Sequence, residues 1–357
     1  MTELDDSHLR LRLDKEGSYE RNRDFPQQLR DAWNAARDFS LPEAYAHPRG
    51  LVVAGMGGSA IAGDYMQALA FHAADVPIAV IRGYDLPAWV VAGVTVIACS
   101  HSGNTEETLS VFAKARERGA NVIAVTTGGR LLRDASAAGL PVFAYEFPGE
   151  PRSAFGHGLM RLLGIGRAVA KLQLGSAPDD SSIVAAIDEV ASMRVSLSEE
   201  TPEAENPAKQ LARRLHGRLA LFIGGDFLWP AAKRWKTQVN ENADSFAMAD
   251  ELPELHHNTV VGLGLPPDIA SRIRGVILQH AGLSPRMKAR CDVTAEVLDR
   301  ANLAYERLDA GGTTPLAGLL RDAYLQNMTT YYLGLLNGVD PFAVTNIDFL
   351  KQRLSEM

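Results

Sequence analysis

Leu51-Val52-Val53-Ala54 runs into Gly55-Met56-Gly57-Gly58-Ser59-Ala60, and Thr95-Val96-Ile97-Ala98-Cys99 runs into Ser100-His101-Ser102-Gly103-Asn104-Thr105. Each stretch is a short apolar run, then small residues and hydroxyls, then a helical pattern. A parallel α/β sheet presents backbone N–H groups and helix N termini to an anion in this way. Two such turns on neighbouring strands point to one phosphate pocket. Its candidate residues are Gly57, Gly58, Ser59, Ser100, Ser102 and Thr105. The glycines let backbone approach an anion, and the hydroxyls donate without adding fixed charge. The alternative is that Ser102 and Thr105 merely cap the following helix.

Working outward, a lead-in helix is expected over Phe25 to Phe39, where Leu29, Trp33, Ala36 and Phe39 fall at helical spacing. After Ser59 the pattern alternates: helix to about Phe71, strand Pro77 to Ile81, strand to Cys99, helix from Asn104 to Arg118-Gly119. Strand Asn121 to Thr126, helix Arg130 to Ala138 and strand Pro141 to Phe147 follow. Short connections and strict alternation predict a doubly wound parallel sheet. A long helical pattern then runs from Phe155 to about Leu174. Ala177 to Asn206 reads as a polar connector around one amphipathic helix, Ile183 to Leu197. A second α/β unit has strands at Arg218 to Ile223, Arg274 to Gln279 and Tyr305 to Asp309, with final helices over Leu316 to Leu336 and Asn346 to Leu354. Leu221 to Phe227 looks like a second copy of the opening strand and turn, stripped of its serine and most of its glycines, so it is expected to be structural.

The chain has 357 residues, 46% hydrophobic and 22% charged, which is globular composition with ample material for two cores. A formal net charge of -7 argues against nucleic acid or an anionic membrane as partner. Residues 1 to about 20 are charged and aperiodic and are expected at the surface or against a partner subunit. No apolar signal region opens the chain and no run reaches membrane-spanning length, so a cytoplasmic protein with no membrane association is expected. Cys99 and Cys291 fit no metal or redox spacing; Cys99 is expected to be a small core residue.

No Gly-x-x-x-x-Gly-Lys-Ser/Thr is present, which disfavours a nucleoside triphosphatase. A dinucleotide fingerprint is poorly matched too, because the strand after the first turn ends in Arg82 and not in an acid for a ribose. In the second half, Asn240-Glu241-Asn242 and His257-Asn258 supply a carboxylate and an imidazole, the groups that proton transfer and sugar-ring opening need. Glu241 as a surface acid and His257 as a loop histidine remain open, and His256 competes with His257. No metal-ligand spacing of histidines appears, so metal use is not expected.

Gly55-Met56-Gly57-Gly58-Ser59 with Ser100-His101-Ser102-Gly103-Asn104-Thr105-Glu106-Glu107-Thr108 resembles the sugar isomerase (SIS) domain signature. More narrowly, the chain resembles the bifunctional phosphoglucose/phosphomannose isomerases of the phosphoglucose isomerase superfamily. Tyr84-Asp85-Leu86-Pro87, Pro151-Arg152-Ser153-Ala154-Phe155-Gly156, Trp235 to Ala243, Gly338-Val339-Asp340-Pro341 and Ile347 to Lys351 carry that likeness. It implies two doubly wound, flavodoxin-like SIS domains in tandem: residues 20–175, a connector over 176–210, and 211–357.

The resemblance also implies roles. Gly57, Gly58, Ser59, Ser100, Ser102 and Thr105 bind the sugar phosphate, and Arg152 stabilises the developing enediolate. Glu241 is the base that shuttles a proton through a cis-enediol. His257 assists ring opening, and Lys351 helps ring opening or orientation. The implied substrate is a phosphorylated hexose, glucose 6-phosphate and/or mannose 6-phosphate interconverting with fructose 6-phosphate, with no metal or organic cofactor. A homodimer with its active site at the subunit interface is implied as well. His101 stands where relatives often carry tyrosine and is expected to form pocket wall. A sugar-phosphate sensor without catalysis and an isomerase of another phosphosugar are the alternatives.

Overall fold

The computed structural model describes residues 2–169 and 180–356, so the expected helix end near Leu174 and the start of the connector lie outside the described residues. The chain forms two compact units. One comprises Phe25–Ala191 with Thr313–Leu319; the other comprises Met1–Asp24, Ser192–Gly312 and Leu320–Met357.

The first unit holds five strands: β1 (Gly50–Ala54), β2 (Ile78–Ile81), β3 (Val94–Ser100), β4 (Asn121–Thr126) and β5 (Val142–Ala144). They lie in the order β2-β1-β3-β4-β5, every neighbouring pair parallel. β1 and β3 are buried along their whole length, which is why they read as unbroken apolar runs without alternation. One face of the sheet (Val52, Val96, Ala98, Val122, Ala124) packs on Val111, Phe112 and Ala115 of helix Glu106–Glu117 and on Leu131 and Ala135 of helix Gly129–Ala137. Strand order reverses across the sheet between β1 and β3, and both glycine- and serine-rich turns leave the carboxyl ends of those two strands. That is the switch point at which open α/β sheets bind ligands.

The second unit has four parallel strands, β6 (Leu219–Gly225), β7 (Ala247–Leu252), β8 (Ile273–Gln279) and β9 (Ala304–Asp309), in the order β7-β6-β8-β9. The sequence reading missed β7. Its Ala-Met-Ala-Asp-Glu-Leu carries two acids and no apolar run, because an edge strand needs to bury only its ends. The core here is led by Phe222 stacked on Trp235, with ring centroids 5.1 Å apart. At the turn after β6, a Cβ built on Gly225 would sit 2.6 Å from Met287 Sδ. Met287 therefore packs directly against this turn.

The N-terminal residues are more ordered than their composition suggested. Helices Ser7–Leu13 and Ser18–Arg23 follow a short 3-10 turn, and this arm is tied into the second unit. Asp5 accepts from the Glu203 N–H (2.8 Å) and from the fully buried Lys209 ammonium (3.2 Å). Burial raises the pKa of the Asp5 carboxyl, but the bonds from Glu203, Thr2 and Lys209 outweigh it and hold it at about 2. A depressed carboxylate stabilises the fold above its ordinary pKa, and that stability disappears as pH falls through the folded value. Asp5→Ala should therefore cost about 2 kcal/mol at neutral pH. The gap in unfolding midpoint between variant and parent should close as pH drops from 4 towards 2. An unchanged midpoint at pH 7 would show that the arm does not hold the unit.

Candidate active site

The first turn is built by β1 ending at Ala54 and helix Gly57–Ala70 starting at once. Gly57 takes φ +49°, a left-handed angle that glycine adopts without strain. Gly58 serves close approach: a Cβ there would lie 3.0 Å from the Pro151 carbonyl oxygen and 3.4 Å from Arg152 Cα. This packing sets the backbone that carries Arg152 against the turn, and Arg152 itself is buried at 3% exposure. The helix N cap, Met56, offers no side-chain cap to the first N–H groups.

The second turn treats its hydroxyls unexpectedly. Ser100 Oγ and Thr105 Oγ1 bond to each other at 2.8 Å, and Ser102 Oγ accepts from the Asn104 N–H at 3.2 Å. Thr105 is the N cap of helix Glu106–Glu117, yet makes no side-chain capping bond. Simple capping is therefore not what these residues do. Two neighbouring helix N termini, both without a side-chain cap, flank the switch point, where the helix dipole and free N–H groups favour an anion.

A third turn, unnoticed in the sequence, braces the second. Gly103 and Gly129 interlock: a Cβ on Gly103 would lie 1.8 Å from the Gly128 carbonyl oxygen, and one on Gly129 2.3 Å from that of Ser102. Asn104 Oδ1 accepts from the Arg130 N–H at 2.9 Å, and the His101 carbonyl accepts from the N–H (3.0 Å) and hydroxyl (2.6 Å) of Thr127. The signal was the Thr-Thr-Gly-Gly run at the end of β4, which mirrors the other strand ends.

His101 has both ring nitrogens engaged. Its Nε2 lies 3.2 Å from the Gly149 carbonyl, which can only accept, so Nε2 carries the proton and Nδ1 accepts from the Tyr145 hydroxyl at 3.1 Å. Burial lowers its pKa, so the ring is neutral. Behind it Tyr145 stacks on His157, with centroids 5.2 Å apart, and the Arg161 guanidinium lies 4.6 Å from the Tyr145 ring centre. His157 is pushed down to about 4 by burial and by Arg161. Both half-buried histidines are thus uncharged, and they bolt the serine turn to the loop that leads into Arg152. Cys99, beneath the turn, is fully buried, which pushes its thiol up to about 12; it is a core residue.

Glu241, His257 and Lys351 belong to the other unit, on three separate elements. Glu241 is half-buried in the last turn of helix Trp229–Ala243, which ends at Asp244 with φ 47°. The two histidines are clearly different. Thr294 Oγ1 donates to the Arg290 carbonyl, so His256 Nε2 donates to Thr294 (2.9 Å) while Nδ1 accepts from Arg290 (3.0 Å). Burial and Arg290 lower the His256 pKa. His257 ends the short helix Glu254–His257 with its side chain exposed. Lys351 is exposed on helix Thr345–Ser355. Among the described residues no group of three or more His, Cys, Asp or Glu is placed to hold a metal ion, and no helix is long and apolar enough to cross a membrane.

Comparison with known proteins agrees with this geometry. Residues 45–136 match the SIS domain family, and residues 204–354 match the bacterial phospho-glucose isomerase C-terminal SIS domain family. The chain is similar to a bifunctional phosphoglucose/phosphomannose isomerase of Caldicellulosiruptor bescii, 33% identical over 93% of this chain and 97% of the relative. A protein of the same name from Aquifex aeolicus is 29% identical over 86% of this chain and 91% of its own length. In fold it is similar to a hypothetical protein of Thermus thermophilus, with TM-score 0.74 and 17% identity, covering 98% of this chain and 92% of that one.

Gly103→Ala should separate the interlocked turns. Inorganic phosphate, titrated by calorimetry, should then bind at least about tenfold more weakly, a change of roughly 1.4 kcal/mol. Gly139→Ala is the control: it has a similar φ, +64°, with nothing within 4 Å, so only stability should fall. Equal phosphate affinity in the two variants would remove the bracing turn from the site.

Proposed function

The chain belongs to the bifunctional phosphoglucose/phosphomannose isomerase family, and from that footing we propose that it interconverts glucose 6-phosphate and mannose 6-phosphate with fructose 6-phosphate through a cis-enediol. It is a sugar-phosphate isomerase, an intramolecular oxidoreductase, as its relatives' names state. The observation that carries the reading at the site is the pair of helix N termini without side-chain caps at the sheet's switch point, lined by Ser59, Ser100, Ser102 and Thr105.

In this reading the phosphate dianion is held by Gly57, Gly58 and the four hydroxyls, mainly by backbone dipoles. Glu241 removes the proton from C2 of the open-chain aldose. The electron pair forms the C1–C2 double bond of the enediol as the C1 carbonyl oxygen becomes a hydroxyl. Returning the proton to C1, as the C2 hydroxyl becomes the ketone, gives the ketose. Arg152, held against the first turn, faces the negative charge that develops on oxygen. His257 takes part in ring opening, and Lys351 orients the sugar. The hydrogen bonds at both ring nitrogens of His256 support giving that role to His257.

The stretch that carries His257 also exposes Phe246, Met248, Val261, Leu265 and Ile269, at 47% to 86% exposure. Apolar surface of that kind suits a partner, so we assign it to a homodimer in which the exposed His257 serves the neighbouring subunit.

Glu241→Gln keeps the shape and removes the base. Turnover of fructose 6-phosphate should fall by roughly 10³-fold or more, while calorimetric affinity for it stays within about threefold. A variant that retains most of its rate would remove Glu241 from the chemistry.

A further inference from the structure

Helix Trp229–Ala243, which carries Glu241, is held to helix Pro315–Asn337 by a continuous polar stripe through the buried part of its unit. Arg234 donates to Gln326 Oε1 (2.7 Å), Asn327 Oδ1 (2.7 Å) and the Ala323 carbonyl (3.3 Å). Trp235 Nε1 donates to Asp322 Oδ1 at 3.0 Å. Two turns further on, Asn242 Nδ2 donates to Thr330 Oγ1 at 2.9 Å, and Thr330 in turn donates to the Gln326 carbonyl. At the helix end, Asn337 Nδ2 reaches the Ala243 carbonyl (2.7 Å) and Ser245 Oγ (2.9 Å), and Asn240 Nδ2 reaches the Ser245 carbonyl (2.7 Å). Both residues flanking Glu241 are therefore tied down.

An apolar seam would have buried this pair of helices at less desolvation cost. Apolar contacts, however, are non-directional and tolerate sliding, whereas hydrogen bonds at fixed spacing admit one register. The two helices approach closely at Gly334, buried on the facing helix, where a Cβ would lie 2.3 Å from the Asn242 carbonyl oxygen. Ordinary contact begins at 3.4 Å, so a methyl there would have to push the last turn of the Glu241 helix by about 1 Å.

We propose that Gly334, with Asn242 and Thr330, is the positioning device for the Glu241 carboxylate: the missing side chain lets the helix end seat at one depth, and the polar stripe fixes its rotation. The proposal rests on the reading of Glu241 as the base. None of these residues need touch the sugar. Their effect is confined to where the carboxylate sits, and the phosphate anchor is built from other residues.

Gly334→Ala tests this with one methyl group. Alanine is the better helix former by roughly 0.8–1.0 kcal/mol, so intrinsic propensity works against any loss. A displacement of about 1 Å at a reacting group is worth about 10² in rate. We expect kcat for fructose 6-phosphate to fall about a hundredfold, with KM within about threefold of the parent. Thr330→Val, nearly isosteric, removes one bond to Asn242 and should lower kcat about fivefold with KM unchanged; it carries the test alone if the alanine variant does not fold. The deciding comparison places Gly334→Ala in the Glu241→Gln background. A residue that acts only through Glu241 should cost less than about twofold further there. Parent-like kcat in Gly334→Ala, or an equal loss in both backgrounds, overturns the positioning role. Full activity of Glu241→Gln alone overturns the base assignment instead, so the two failures are distinguishable.

Discussion

Backbone pressed directly on backbone is the constraint on which both halves of this protein depend. A phosphate dianion held by peptide dipoles needs several N–H groups converging within hydrogen-bond reach. The turns that present them can crowd together only where no side chain intervenes. Gly58 against Pro151 and Arg152, and Gly103 interlocked with the Gly128–Gly129 turn, meet that need in the first unit. In the second unit Gly334 meets the same need for a different end, seating the helix that carries a carboxylate. After β6 the close approach is made by Met287 instead.

On the proposed reading, holding the phosphate by backbone dipoles fits the charge of the chain. A net charge of -7 gives no long-range attraction for a phosphate, so recognition is local. The groups nearest the serine turn are kept neutral: burial holds His101 and His157 below their ordinary range. A charged imidazole beneath the turn would add a positive field, but it would also lose the geometry in which Tyr145 donates to His101 and His101 to Gly149. The arrangement trades charge for a fixed shape, and a fixed shape is what preorganised electrostatic stabilisation requires.

Much of this was legible in the sequence, for identifiable reasons. β1 and β3 are buried on both faces, so they read as plain apolar runs, and the switch-point turns announced themselves through glycine and serine. β7 was invisible because an edge strand can carry Asp250 and Glu251. The N-terminal helices were missed because partners distant in sequence hold them, Glu199 on Arg10 and Tyr19, and Tyr331 on Asp14, and periodicity does not mark them. The choice between His256 and His257 could not be made from spacing. The structure adds a difference that spacing does not carry: the His256 ring is engaged by Thr294 and Arg290, and His257 is exposed. Gly334 gave no signal either, since a single glycine in a long helix is ordinary until the helix facing it is known.

The central claim is proton transfer through an enediol on a phosphate-anchored hexose. Conversion of fructose 6-phosphate in D₂O, with the aldose 6-phosphates resolved by NMR, tests it most directly. A base that exchanges its proton with solvent during the enediol's lifetime leaves deuterium at C2 of the glucose 6-phosphate and mannose 6-phosphate formed, and that is the predicted result. Aldose products with hydrogen retained throughout at C2, as a hydride shift would give, or no aldose product at all, would contradict it.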